Sequence, residues 1–237
     1  MEDVSKGDVS EITEGRDWRE TVTWYTHETA FARLVKFLGK FVFRRLAQVE
    51  CVDFENIPAG GPCILASNHI NNLDVVYLGL VVPRHLHFMA KIELYRNPIF
   101  GWAIRLGGSF PVNRGENDAW ALQQAGRVLT AGQMLCMFPE GTRSGAKAQM
   151  RRGKVGAVKL ALEYQAPIIP VAIIGTQNFS LTKWRRNKIR IQAGQPLDMI
   201  ALAGSSTYQY ETLRELTTTL MQQIAAMLPP ANRGIYG

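Results

Sequence analysis

A chain of 237 residues is long enough to bury one substantial core and short for two domains of ordinary size. A hydrophobic fraction of 46% with 20% charged residues excludes a disordered chain, and 21 glycines and 11 prolines without a G-X-Y period exclude a collagen-like one. Three cysteines, Cys51, Cys63 and Cys136, are odd in number, lack C-x-x-C spacing and sit among apolar residues, which argues against a disulfide framework or zinc knuckle and for a reducing, cytosolic compartment. The net charge of +7 is uneven: residues 1–20 carry 7 acidic and 3 basic side chains, whereas residues 21–237 carry 13 acidic and 24 basic. Such a basic body favours anionic partners, but charge alone does not separate nucleic acid, a phospholipid surface and a phosphorylated small molecule.

Residues 1–17 are acidic and aperiodic and read as a frayed tail. From residue 18 to residue 49 the pattern is helical and aromatic. Arg33, Lys36, Lys40 and Arg44 recur at three- and four-residue steps, with Phe31, Leu34, Val35, Leu38 and Val42 at the same period on another face. This predicts a basic amphipathic helix that either lies in a bilayer interface or packs on its own domain with its cations solvated. No apolar run is long enough for a transmembrane helix, and the acidic start lacks the basic region of a secretory signal.

Strand and helix patterns then alternate. Strands are predicted at 49–54, 62–67, 86–90, 134–138, 168–174 and 188–192, and helices at 73–82, 116–130, 153–164 and 207–228. Pro167 stops the third of these helices by residue 166, and Pro229-Pro230 ends the last. The alternation predicts an α/β domain over residues 50–228, a largely parallel or mixed central sheet flanked by helices, with residues 229–237 as a C-terminal tail.

Two segments carry chemistry. Ser67-Asn68-His69-Ile70-Asn71-Asn72-Leu73-Asp74 follows an apolar strand and enters a helix, where an open α/β sheet binds its ligands. Asp74 can return to the imidazole of His69 and hold one ring nitrogen as donor while the other acts as a base; equally, His69 can cap the following helix. No serine or cysteine nucleophile stands beside the pair, so the nucleophile belongs to the substrate. Phe138-Pro139-Glu140-Gly141-Thr142-Arg143-Ser144 also follows an apolar strand: Gly141 allows a tight turn, Thr142 and Ser144 offer hydroxyls and Arg143 a planar fork suited to phosphate. It reads as an anion cradle or as an ordinary turn, and it is not a nucleotide P-loop.

Together these blocks resemble the 1-acyl-sn-glycerol-3-phosphate acyltransferases. Asn68-His69 with Asp74 matches the family's N-H-x4-D block, and residues 138–144 match its F-P-E-G-T-R-S block residue for residue. Phe110-Pro111-Val112-Asn113-Arg114 resembles the segment that ends in a substrate-binding arginine, Ile169-Pro170-Val171-Ala172 the proline-centred strand, and Lys91 stands where relatives often carry a basic residue. Asn113 departs from the acidic residue many relatives have. The resemblance spans roughly residues 50–200. It implies that His69, oriented by Asp74, takes the proton from the free hydroxyl of 1-acyl-sn-glycerol 3-phosphate, which attacks an acyl thioester, acyl-CoA or acyl-acyl carrier protein, to give phosphatidic acid. Lys91, Arg114 and Arg143 would meet the acceptor phosphate, with Glu140, Gly141 and Thr142 shaping the cradle. The enzyme would need no cofactor and no metal, since His27, His69, His85 and His87 form no convincing ligand set. It would act at the cytoplasmic face of a membrane as a peripheral, monotopic protein, with the phospholipid surface as partner and no role for nucleic acid. Glycerol 3-phosphate or another lysophospholipid is the alternative acceptor, and a non-catalytic basic module binding membrane or nucleic acid the more distant reading.

Three features stay two-sided. Residues 98–112 hold Ile99, Phe100, Trp102, Ile104, Leu106 and Phe110 with Arg105 as the lone charge, either an acyl-chain platform or tunnel wall or plain core. Residues 143–159 carry six Lys/Arg without an acid and residues 183–190 carry five, facing lipid or donor phosphates or simply solvent. Cys63 and Cys136 sit in strand patterns as small buried thiols, which makes cysteine catalysis improbable.

Overall fold

Residues 17–114, 118–183, 187–204 and 208–237 are described by the structure, a computed structural model. Its centre is strand β2 (Cys63–Ser67), whose five residues are all buried. A strand apolar on both faces needs sheet neighbours and helices on either side. β2 pairs in parallel with β5 (Met134–Met137) on one side and β6 (Ile168–Ile174) on the other. Beyond β5 lie β3 (Leu86–Lys91) and β4 (Ser109–Val112), both parallel; beyond β6 lies β7 (Asn187–Ala193), antiparallel, then β1 (Ala47–Val52), parallel to β7. The sheet is thus seven-stranded and mixed, in the order β1-β7-β6-β2-β5-β3-β4.

Alternation along β2 divides the core in two. Ile64 and Ala66 face α4 (Ala119–Thr130), α5 (Gly156–Glu163) and α7 (Tyr210–Ala226), where Val128, Leu160 and Leu220 close over them. Cys63 and Leu65 face α2 (Leu73–Val81) with Tyr77 and Leu78. Helix starts follow the sequence: Thr29 caps α1 (Ala30–Leu46), Asn97 before Pro98 caps α3 (Pro98–Leu106), and Asp118 caps α4, each accepting a backbone N–H.

The segment at 18–49, predicted to be helical with its basic amphipathic helix in the second half, is helical only in part. It is a 3-10 turn (Trp18–Thr21), an extended link, α1, and then β1 from Ala47. The apolar side of α1 faces outward: Phe37 is 74% and Phe41 65% exposed, with Leu34, Val35, Leu38 and Val42 beside them. Its inner side carries Ala32, Gly39 close against Leu80, and Lys36. Phe31 meets Trp102 at 5.3 Å, so the apolar surface continues onto α3, where Ile99 is 79% exposed. Within residues 98–112, therefore, Phe110 is core while Ile99, Phe100 and Trp102 form an outer surface.

The C-terminal end is more ordered than a tail, and the described N-terminal segment from Asp17 is fastened to the body. Residues 1–16 lie outside the described part, but Asp17 and Asp118 both bind Arg19, and Trp18, Trp24, Tyr95 and Trp120 form a chain of edge contacts that fastens the N-terminal segment to the body. Residues 229–237, expected as a tail, make two 3-10 turns (Pro230–Asn232 and Gly234–Tyr236). Asn232 accepts from Met150 N and the Tyr236 hydroxyl accepts from Gly153 N, so this end docks on the loop before α5. The structure adds a short α6 (Met199–Ala203) that periodicity did not show. Glu116 and Thr207, predicted as helix starts, and Trp184, Arg185 and Arg186 of the second basic run lie outside the described residues.

Candidate active site

The parallel strands β6, β2, β5 and β4 end at one edge of the sheet, and the segments leaving them converge there. After β2, Asn68 is turned toward β6, donating to Ile173 O and accepting from Ile173 N, as a side-chain extension of the ladder. This places His69 just past the sheet edge. Its Nδ1 is 2.8 Å from Asp74 Oδ2 at the start of α2. The same oxygen accepts from the N–H groups of Ile70 and Asn71, and Oδ1 from the Thr176 hydroxyl at 2.6 Å. Fully buried and surrounded by donors, the carboxylate favours the imidazole tautomer that donates from Nδ1, in which Nε2 is an acceptor. The ring stacks on Phe138 at 4.0 Å and walls a cleft of about 200 Å³.

Glu140 fastens the second loop to the first. Its Oε1 accepts from His69 N at 2.9 Å and its Oε2 from Arg151 N at 2.8 Å. Burial raises its pKa while these two N–H groups pull the other way. Ser144 donates from both backbone and hydroxyl to His69 O. Glu140 is therefore a clasp for the His69 backbone rather than part of a phosphate cradle: it is buried, both oxygens are engaged, and a carboxylate repels phosphate.

The basic residues separate. Arg114 lines the cleft with Asn113, Phe138, Pro139 and Gly141. Exposed as a whole residue, it still has protein close about it: desolvation first, then repulsion from Arg143, lower its pKa, with Glu93 opposing. Arg143 is on the outer rim, donating to Asn72 Oδ1 at 3.1 Å, and Thr142 beside it is exposed. Lys91 pairs with Glu93 at 2.8 Å and does not line the cleft. Pro170 is buried within β6 opposite Ala66, a sheet residue and not a wall of the cleft. Lys154 lines the cleft and was not singled out by the motifs; only its place in the 143–159 basic run pointed to it. Thr176 was missed too, since nothing in a Gly-Thr step after a strand reveals a carboxylate partner 102 residues away in sequence.

Among the described residues, no group of three His, Cys, Asp or Glu side chains lies close enough to hold a metal ion. His85 and His87 meet edge to face at 4.7 Å under the β3–β4 edge. The buried thiols are unsuited to attack, since burial pushes Cys63 up to about 11 and Cys136 well above its ordinary value.

The sequence model of the acyltransferase family matches residues 48–174, a span that holds the sheet-edge histidine, its carboxylate partner and the glycine turn. The chain belongs to that family, and within it to the lysophosphatidic acid acyltransferases. It is 29% identical over 177 residues to the 1-acyl-sn-glycerol-3-phosphate acyltransferase of Bacillus subtilis, covering 74% of this chain and 86% of that one. It is 31% identical over 163 residues to the Streptococcus pneumoniae enzyme of the same name, covering 68% and 60%. The crystal structure of the 1-acyl-sn-glycerophosphate acyltransferase PlsC from Thermotoga maritima shares the fold with a TM-score of 0.64 at 25% identity, covering 80% of this chain and 76% of that one. The protein is accordingly an enzyme built on a mixed seven-stranded sheet flanked by helices.

Proposed function

We propose that the protein transfers an acyl chain from a thioester to the free hydroxyl of 1-acyl-sn-glycerol 3-phosphate, with His69 as general base. The observation that carries this is the 2.8 Å contact between His69 Nδ1 and Asp74, which leaves Nε2 as the acceptor on a ring that walls the cleft. Nε2 takes the hydroxyl proton as the oxygen attacks the thioester carbonyl. The tetrahedral intermediate then collapses, the C–S bond breaks, and the imidazolium returns the proton to the departing thiolate. General-base assistance of this kind is worth about 10²- to 10⁴-fold. The chemistry needs no resident cofactor; the thioester, on coenzyme A or acyl carrier protein, is a substrate.

The outward face of α1 and the adjoining Ile99, Phe100 and Trp102 support docking on a bilayer, where the acceptor resides. Among the described residues no helix is long and apolar enough to cross a membrane, so the mode proposed is peripheral, at the cytoplasmic face where thioester donors are supplied. The test is an assay of purified enzyme with acyl-CoA or acyl-acyl carrier protein against lysophosphatidic acid, glycerol 3-phosphate and lysophosphatidylcholine. Fastest turnover of lysophosphatidic acid, lost in His69→Ala, is the expected result. Preference for another acceptor, or a His69→Ala variant with more than about a tenth of wild-type kcat, overturns the reading.

A further inference from the structure

We infer that Lys154 binds the phosphate monoester of the acceptor, and that the glycine of the Glu-Gly-Thr-Arg turn serves to seat this lysine; the inference rests on the function proposed above. Gly141 has a φ of +69°, and a Cβ placed there would lie 2.9 Å from Lys154 Cε and 3.1 Å from its Nζ. The left-handed turn requires the glycine, and the end of the lysine stem lies in the space a side chain there would take, so that a side chain would push it aside.

The backbone of Lys154 is held for this task. Its N–H donates to Pro139 O at 2.8 Å, tying it to the turn it covers. The preceding Gly153 is buried against Thr217 and Met221 of α7, receives Arg214 on its carbonyl at 2.9 Å and donates to the Tyr236 hydroxyl. The anchor leaves a flexible stem ending in an ammonium, in a cleft it shares with Arg114 and His69.

Charge identifies the ligand. Among the described residues that line the cleft none is acidic, and the basic side chains there are Arg114 and Lys154 beside His69. Among the described residues Lys154 forms no salt bridge, whereas Lys91 is neutralised by Glu93 and Arg143 is turned to Asn72 on the rim. Two cations without a carboxylate fit a dianion better than a choline-capped monoanion, whose ammonium they repel. Arg114 supplies a planar fork and Lys154 a compact point charge that adjusts to the phosphate.

The test compares wild type, Lys154→Gln, Lys154→Arg and Gly141→Ala in steady state, with folding checked by thermal melts. Expected for Lys154→Gln is a KM for lysophosphatidic acid raised about 10- to 100-fold, with KM for the acyl donor and turnover of lysophosphatidylcholine little changed. Lys154→Arg keeps most of the affinity. Gly141→Ala shows the same acceptor-selective loss, because its methyl displaces the stem. The phosphate of the acceptor gains its second charge near pH 6, so wild-type KM falls as the pH rises through that point, and Lys154→Gln flattens this dependence. An unchanged KM for lysophosphatidic acid, a rise confined to the donor, equal loss on both lysolipids, or an unaltered pH dependence each overturns the inference. A wild type that does not favour lysophosphatidic acid overturns the proposed function itself, which separates the two failures.

Discussion

Lys36 of α1 reaches across to the end of α2, with its Nζ 2.8 Å from the carbonyl of Val82 and 3.0 Å from that of Arg84. The ammonium thus caps a helix C-terminus, whose carbonyls carry partial negative charge. Desolvation and then the neighbouring Lys40 lower its pKa. A lysine that sequence periodicity counts among the lipid-facing cations is instead the fastener that turns the apolar side of α1 outward. Replacing Lys36 by Met is expected to destabilise the fold by about 1–3 kcal/mol, the range for hydrogen bonds to a charged group, read from urea unfolding. Phe37→Ser with Phe41→Ser is expected to leave stability nearly unchanged and to weaken sedimentation with anionic vesicles. If Lys36→Met unfolds at the wild-type midpoint, the cap contributes nothing.

The Thr176 hydroxyl donates to Asp74 Oδ1, while His69 and two backbone groups occupy Oδ2. Thr176→Val keeps the shape and removes one donor, so the carboxylate loses one of its restraints. The expected outcome is a kcat reduced about tenfold with the acceptor KM nearly constant, since the change acts on the orientation of the base. Asp74→Asn is expected to cost about 10²- to 10⁴-fold, because an amide that donates to Nδ1 forces the proton onto Nε2 and abolishes the base. A fall in acceptor affinity without a fall in kcat would assign these residues to binding instead.

Covalent catalysis through cysteine is not expected. Cys63 and Cys136 are buried and protonated, and Cys51 lies on edge strand β1, among Lys40, Phe43 and Tyr77, not in the cleft with His69. A variant with all three changed to Ser or Ala, each chosen for burial, retains activity in this mechanism. Mass spectrometry of enzyme mixed with donor alone checks it: a stable acyl adduct competent to acylate added acceptor would sink direct transfer.

Much of this was legible in the sequence where one local rule governed. The buried strand at 63–67, the helix after Asn72 and the strand at 168–174 follow from apolar runs and their punctuation, and the His69–Asp74 contact follows from a turn that brings i and i+5 together. What stayed hidden depends on contacts far apart in the chain. Periodicity marks an apolar face on residues 31–42 but not which way it turns, a matter settled by Lys36 meeting residues 82 and 84. Glu140 reads as part of an anion cradle until His69 N and Arg151 N are seen on its oxygens. The Arg19 pair with Asp118 spans 99 residues, and no pattern in the first twenty suggests it.

His85 and His87 yield a pH dependence of stability independent of catalysis. Burial, then Lys36 for His85 and His85 for His87, lowers both imidazoles to about 4, and the His87 Nδ1 is 2.9 Å from Gly108 O. Gly108 sits at φ +86° directly against both rings, where a side chain would meet His85 Nε2 and His87 Nδ1. In the unfolded chain these groups take up protons near pH 6.5, whereas in the folded protein they do so only near 4. Between those values the unfolded state binds more protons, so stability is full above about pH 7 and falls as the pH drops toward 4, by up to about 1.4 kcal/mol per pH unit for each imidazole. His87→Asn can still donate to Gly108 O from its amide and has no proton to gain, so it is expected to be somewhat less stable at pH 7 and to lose less on acidification. Urea unfolding of the two proteins at pH 7, 6 and 5 checks this, and parallel wild-type and His87→Asn slopes would show that His87 does not couple folding to protonation.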